Sequence, residues 1–335
     1  MSRITVMGAG AWGTALAVVL ARRGGHSLTL WSHTQRVAET IQHTNENRAY
    51  LPGFPLPRSI EVTTDIELAV RHAEILILAV PSEHLRGVCR SMAPLLVTGQ
   101  IMVSAAKGIE DGTFLRMTQV IDEVLSTKNL RLPCGVLSGP SFAQEVGAGS
   151  PTAIAIASDD PAIAIRVQEE FSCPTLRLYT NGDVIGVELG GALKNVIAIA
   201  SGATHGLGLG HNSVAALVTR GIAEMTRLAV ACGGQRETLA GLAGLGDLVL
   251  TCTGALSRNR HVGIELGRGQ GLREILAGMH GKVAEGVRTT HAAVGLARRV
   301  GVELPITEQV AAVLNEQISA KEAMRELMSR PGRDE

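Results

Sequence analysis

Ile4-Thr5-Val6-Met7-Gly8-Ala9-Gly10-Ala11-Trp12-Gly13 decides the fold. Four apolar-leaning residues form a short strand, a Gly-x-Gly-x-x-Gly turn follows, and a helix continues to about Arg22, where Gly24-Gly25 ends it. Leu28-Thr29-Leu30-Trp31 is the next strand. Strand, glycine turn, helix and strand within about thirty residues is the context that separates a true dinucleotide fingerprint from a chance glycine-rich turn. Gly8 permits the tight turn, Gly10 lets a pyrophosphate approach the backbone, and Gly13 lets the helix pack closely on the strand. The helix N-terminus then faces the phosphates.

Outward from this motif the alternation continues. An NAD site usually carries Asp or Glu at the end of the second strand, about 20 residues on. Here the chain reads Trp31-Ser32-His33-Thr34-Gln35-Arg36. With no acid present, and with His33 and Arg36 able to meet a 2′-phosphate, NADP is expected to be preferred over NAD; otherwise both are ordinary surface residues. Asn45 to Pro57 reads as an irregular loop, and Thr64-Asp65-Ile66-Glu67 as a capping-box helix start. Ile75 to Val80 and Ile101 to Ser104 are continuous apolar runs, as in parallel strands covered on both faces. Lys107 follows the second run, at the strand end where open α/β sheets bind ligands. Val136-Leu137-Ser138 leads into Gly139-Pro140-Ser141-Phe142-Ala143, a second strand-to-helix bend with amide and hydroxyl donors. Thr152 to Ser158 and Thr175 to Thr180 complete the strands. The expected architecture is an α/β, Rossmann-type, mostly parallel sheet domain over 1–183, followed by an all-α domain over 184–335.

Composition narrows the function. Lysine plus arginine and aspartate plus glutamate are equal at 31 each, which argues against a nucleic-acid or anionic-membrane partner. The five cysteines show no Cys-x-x-Cys pairing, and the histidines show no metal spacing, so free thiols and no metal are expected. No uninterrupted apolar run has spanning length and the start carries no signal-peptide pattern, so no membrane span and a cytoplasmic location are expected.

In the second half, Val184 to Ala200 reads as a helix containing Gly190-Gly191 and, one turn later, Lys194 in otherwise apolar surroundings. Helical glycines are kept where another backbone or a ligand comes close. A desolvated lysine suits proton transfer; this helix alone favours a stem buried along it with the ammonium in water, and the phosphate-binding signals that flank it in sequence shift the weight to proton transfer. Gly241 to Asp247 reads as a flexible small-residue run that delivers Asp247 either to Lys194 or to a helix N-cap. Gly206 to Gly210 reads as a flexible connector, and Asn212-Ser213 as the cap of a helix to about Ala231. Further helices are expected near 260–267, 286–300, 307–317 and 320–328. Ser257-Arg258-Asn259-Arg260 suits a phosphate dianion or is an exposed basic loop. Glu285, in Val283-Ala284-Glu285-Gly286, accepts from a ribose or amide or simply starts the next helix.

Taken together, the glycine motif, Lys107-Gly108, Leu137 to Ala143, Gly190 to Asn195, Ala243 to Leu248, and Thr251-Cys252-Thr253 to Ser257-Arg258-Asn259 make the chain resemble bacterial-type NAD(P)-dependent glycerol-3-phosphate dehydrogenases. The resemblance implies reduction of dihydroxyacetone phosphate to glycerol 3-phosphate for phospholipid synthesis. It implies Lys194 as general acid/base, Lys107 holding the substrate, and Asp247 orienting the lysines. Ser257, Arg258 and Asn259 take the phosphate, while Gly139 and Ser141 line the pocket. Ala11, Trp12, His33, Lys107, Ala143, Arg258, Val283 and Glu285 contact the cofactor. Position 11 is alanine where serine is common in the family, which removes a hydroxyl and leaves the backbone donor. The alternatives are a 3-hydroxyacid or 6-phosphogluconate-type dehydrogenase, and a non-catalytic NADPH-sensing module. Oligomeric state is not fixed by these residues, and a homodimer is one expectation.

Overall fold

The computed structural model describes residues 1–279 and 283–332. Two compact units emerge: Met1–Lys107 with Arg116–Val187, and Gly108–Leu115 with the chain from Glu188 onward.

The first unit alternates strands and helices: β1 (Ser2–Met7), α1 (Ala11–Arg23), β2 (His26–Trp31), α2 (Gln35–Thr44), β3 (Ile60–Thr63), α3 (Ile66–Arg71), β4 (Ile75–Leu78) and α4 (Ser82–Met92). It continues with β5 (Ile101–Ser104), α5 (Met117–Ser126), β6 (Cys134–Ser138), α6 (Ala143–Ala148), β7 (Thr152–Ala157), α7 (Pro161–Phe171) and β8 (Leu176–Asn181). The strands form one sheet in the order β3-β2-β1-β4-β5-β6-β7-β8. Every pairing is parallel except β6 with β7. The sheet is therefore mostly parallel, and its order reverses direction between β1 and β4, the switch point at which such sheets bind ligands. All four residues of β4 are fully buried, which explains its unbroken apolar sequence.

Two local readings are corrected in this unit. Ile60-Glu61-Val62-Thr63 is an edge strand pairing with β2. It was not expected, because four residues with only one fully buried side chain carry little pattern. The cap of α3 is Asp65 rather than Thr64: its carboxylate accepts from the Glu67 and Leu68 amides at 2.8 and 3.2 Å.

The second unit is helical: α8 (Val184–Gly206, whose first turn carries the division), α9 (His211–Ala231), α10 (Arg236–Leu239), a π-helical turn (Leu242–Gly246), α11 (Asp247–Thr253), α12 (Arg258–Gly267), α13 (Leu272–Gly278), α14 (Glu285–Val300), α15 (Pro305–Leu314) and α16 (Ala320–Met328). α8 runs past Ala200 to Gly206, and glycine at 202 and 206 lets α12 press against it. A Cβ added at Gly202 would lie 2.9 Å from Gly263 Cα. α9 begins at His211 with Gly210 as its cap, not at Asn212-Ser213. α10 and α13 are short helices missed in the sequence. α8 is long and apolar enough to cross a membrane, but 89% of its most apolar window is buried within the protein, as in a core helix.

Glu224 of α9, 4% exposed, caps α15 from a distance. Its carboxylate accepts from Ile306 N (2.8 Å), Thr307 N (2.9 Å) and Thr307 Oγ1 (2.6 Å). The carboxylate thereby satisfies two helix-start N–H groups that have no partner within the helix, and the Thr307 hydroxyl as well. Burial raises the Glu224 pKa, and the three donors pull it back. Glu224→Ala is expected to cost roughly 2–3 kcal/mol by stranding them. Urea unfolding checks this; a midpoint equal to the parent's would remove the capping role.

Candidate active site

β1, β4, β5 and β6 are neighbouring parallel strands, so their carboxyl ends share one edge of the sheet. That edge carries Gly8–Gly13 after β1, Lys107 after β5, and Gly139–Ser141 after β6. Gly8 has φ +119, and a Cβ there would lie 2.8 Å from Ala79 O, so no other residue fits. Gly10 differs: a Cβ there would meet no protein atom within 4 Å. Packing within the protein therefore does not demand glycine at 10, and the backbone there is open to close approach. Gly10 is also the cap of α1 and supplies no side-chain acceptor, so the helix turns uncapped N–H groups outward. This cradle fits a dinucleotide pyrophosphate. Ala11 and Trp12 form the first turn of α1. Asn47, from the expected loop, is 1% exposed and donates to Ala9 O and Thr14 Oγ1, both at 2.8 Å. It braces the cradle, and nothing in its local sequence marks it.

Lys107 Nζ donates to Gly139 O at 3.1 Å, and Ser141 Oγ donates to the same oxygen at 2.9 Å. Lys107, Gly139 and Ser141 are thus brought together. Ala143 opens α6 beside them in sequence. His33 and Arg36 are both exposed past β2. His33 lies against the Trp31 ring with centroids 5.9 Å apart. Among the described residues no ion pair or side-chain hydrogen bond engages the Arg36 guanidinium.

In the second unit Lys194 is 7% exposed and Asp247 is 0% exposed. Lys194 Nζ donates to Asp247 Oδ1 at 2.5 Å and to Thr251 Oγ1 at 3.0 Å. Thr251 gives its single hydroxyl hydrogen to Asp247 O at 2.6 Å, leaving a lone pair for the ammonium. Thr251 was not singled out as a site residue, although i,i+4 helix spacing from Asp247 places it on the same face. Lys194 and Asp247 are therefore paired in the interior of this unit, and Gly246 rather than Asp247 stands at the cap position of α11.

The expected flexible run before Asp247 is a π-helical turn, Leu242–Gly246. Such wide turns re-aim the residues that follow them. Its close approach to α8 needs glycine at 190, where a Cβ would lie 2.6 Å from Ala243 O. Next to Lys194, Asn195 Oδ1 accepts from Asn259 Nδ2 at 2.9 Å, and Asn259 Oδ1 accepts from Gly286 N at 2.9 Å. One amide thereby ties α8, α12 and α14 together. Ser257 is the α12 cap, its hydroxyl oxygen accepting from Arg260 N at 3.2 Å, and Arg258 is exposed in the first turn. Val283 precedes α14 and Glu285 opens it. Cys252 lies beside Thr251, and burial pushes its thiol up to about 12, so it stays protonated. Among the described residues no three His, Cys, Asp or Glu side chains group as a metal site.

Comparison with known proteins places this geometry. The family models for the N-terminus and C-terminus of NAD-dependent glycerol-3-phosphate dehydrogenase match residues 3–164 and 183–325. A glycerol-3-phosphate dehydrogenase [NAD(P)+] of Acidobacterium capsulatum is 64% identical, over 100% of both chains. One of Geobacter sulfurreducens is 53% identical over 98% of this chain and 97% of its own. The crystal structure of glycerol-3-phosphate dehydrogenase from Coxiella burnetii superposes with a TM-score of 0.93 at 40% identity, covering 98% of this chain and 99% of that one. With both family halves matched in order and near-full-length relatives more than half identical, the chain belongs to the NAD-dependent glycerol-3-phosphate dehydrogenase family, and it is an enzyme.

Proposed function

We propose that the chain interconverts dihydroxyacetone phosphate and sn-glycerol 3-phosphate with NAD(P)H, residues 1–183 holding the dinucleotide and 184–335 the phosphorylated ketone. The observation that carries the reading is the buried Lys194–Asp247–Thr251 cluster beside the Asn195–Asn259 amide pair. The nicotinamide cofactor supplies the hydride. Gly8, Gly10, Ala11, Trp12 and Gly13 hold its pyrophosphate, with Ala143, Val283 and Glu285 as further contacts.

Lys194 gives the proton that the developing alkoxide needs, and Asp247 and Thr251 aim its ammonium. Lys107 stabilises the negative charge before that proton arrives. Ser257, Arg258 and Asn259 hold the phosphate. Ser257 contributes its hydroxyl hydrogen, since its oxygen already caps α12. Asn259 contributes the amide hydrogen not given to Asn195. Anchoring this remote group fixes the carbonyl for attack. Gly139 and Ser141 line the carbonyl side. Purified protein should oxidise NADPH on addition of dihydroxyacetone phosphate; turnover with a 3-hydroxyacid instead would reject the reading.

NADPH is the preferred cofactor in this proposal, with Arg36 and His33 facing the 2′-phosphate. Replacing Arg36 by serine should weaken NADPH about tenfold, one charge-assisted contact, and leave NADH within about twofold. Equal losses for the two cofactors would remove the argument. The same reading has the product feeding phospholipid synthesis in the cytoplasm, with a homodimer as the assembly that sedimentation would report.

A further inference from the structure

We propose that Phe114 is a positioning residue for Lys107: its ring, seated on Gly295 of α14, fixes the strap Gly108–Leu115 that begins one residue after the lysine. The proposal rests on the assignment of Lys107 as a substrate contact.

The strap groups with the second unit, although the chain on both sides of it belongs to the first. Lys107 is therefore the last residue before a change of unit. The strap is closed on itself. Glu110 N donates to Leu115 O at 2.9 Å, Phe114 N to Glu110 O at 3.0 Å, and Thr113 Oγ1 to Glu110 Oε2 at 2.6 Å. Ile109 is 3% exposed.

Phe114 has φ +60. A bulky aromatic in the left-handed region is an outlier, and such a residue persists only where its surroundings over-determine it. Glycine or asparagine would make the same turn without strain. The surroundings supply the reason for phenylalanine. Any side chain at Gly295 would overlap the Phe114 ring carbons, so the helix keeps a gap and the ring fills it. One turn further along α14, Arg299 Nη1 donates to Thr113 O at 3.5 Å. Ring, gap and guanidinium make an anchor rather than a simple reversal of the chain.

Lys107 is thus set from two directions. Its ammonium donates to Gly139 O, and its backbone enters an anchored strap. A positive charge meant to meet a developing alkoxide tolerates little displacement, since misplacement of about 1 Å can cost a hundredfold in rate.

The test is a double-mutant cycle read as kcat and KM for dihydroxyacetone phosphate, with NADPH affinity measured separately. Phe114→Ala is expected to lower kcat/KM about tenfold while leaving NADPH affinity within about twofold, and Phe114→Tyr to restore the parent value. On a Lys107→Ala background, Phe114→Ala should cause no further loss, because the two act as one unit. Multiplying losses would overturn the proposal. Should Phe114→Ala fail to fold, Gly295→Ala displaces the ring with the side chain retained and should give the same non-additive pattern. A crippled Lys107→Ala next to a harmless Phe114→Ala overturns the strap proposal alone. A harmless Lys107→Ala overturns the Lys107 assignment, and this proposal with it.

Discussion

Lys194→Ala is expected to lower kcat for dihydroxyacetone phosphate reduction about a thousandfold, within the range that loss of a positioned general acid produces. NADPH affinity should stay within about twofold, because the glycine cradle of α1 belongs to the other unit. The argument is chemical. Hydride adds to the ketone carbon, the C=O π pair moves onto the oxygen, and the strongly basic alkoxide so formed takes a proton as it develops. Lys194 is 7% exposed and its ammonium is held by two oxygens, so its direction is set before substrate arrives. Parent-level turnover by the mutant would reject Lys194 as the acid. Loss of NADPH binding in parallel would recast the residue as structural.

Asp247→Ala should be the most damaging single change to stability. Asp247 is 0% exposed and is the counter-charge of a buried ammonium. Removing one partner leaves the other charge buried and uncompensated, which costs about 3–5 kcal/mol. Activity should fall with it, because the Lys194 ammonium loses its hydrogen bond to the Asp247 carboxylate. Pairing the change with Lys194→Met removes both charges and should recover most of the lost stability without any turnover. Chemical denaturation of the two single mutants and the double mutant gives the three values. A double mutant no more stable than Asp247→Ala alone would show that packing around the carboxylate, not the charge pair, carries the effect.

The first unit was legible because its rules are local. A parallel strand buried on both faces has an unbroken apolar run, as Ile75–Leu78 does. The glycine turn carries its own stereochemistry, seen in Gly8 at φ +119. Where pattern is thin, reading failed: β3 is a four-residue edge strand with mixed burial. In the second unit the candidate residues could be named, but not the way they are held. Lys194 and Asp247 are 53 positions apart, and the helical start at Asp247 depends on a π turn that a run of small residues does not announce. Asn259 read as a phosphate ligand, and its amide is already engaged by Asn195 and Gly286. Such ties depend on which helices touch, and helix contact through Gly202 and Gly263 is visible only in three dimensions.

The most direct measurement is a crystal structure of the protein with NADP and glycerol 3-phosphate bound. Lys194 Nζ should stand about 2.6–3.2 Å from the C2 hydroxyl oxygen of the substrate, with the phosphate on Arg258 and Asn259. An ammonium turned away from that oxygen, or a phosphate bound elsewhere, would contradict the account.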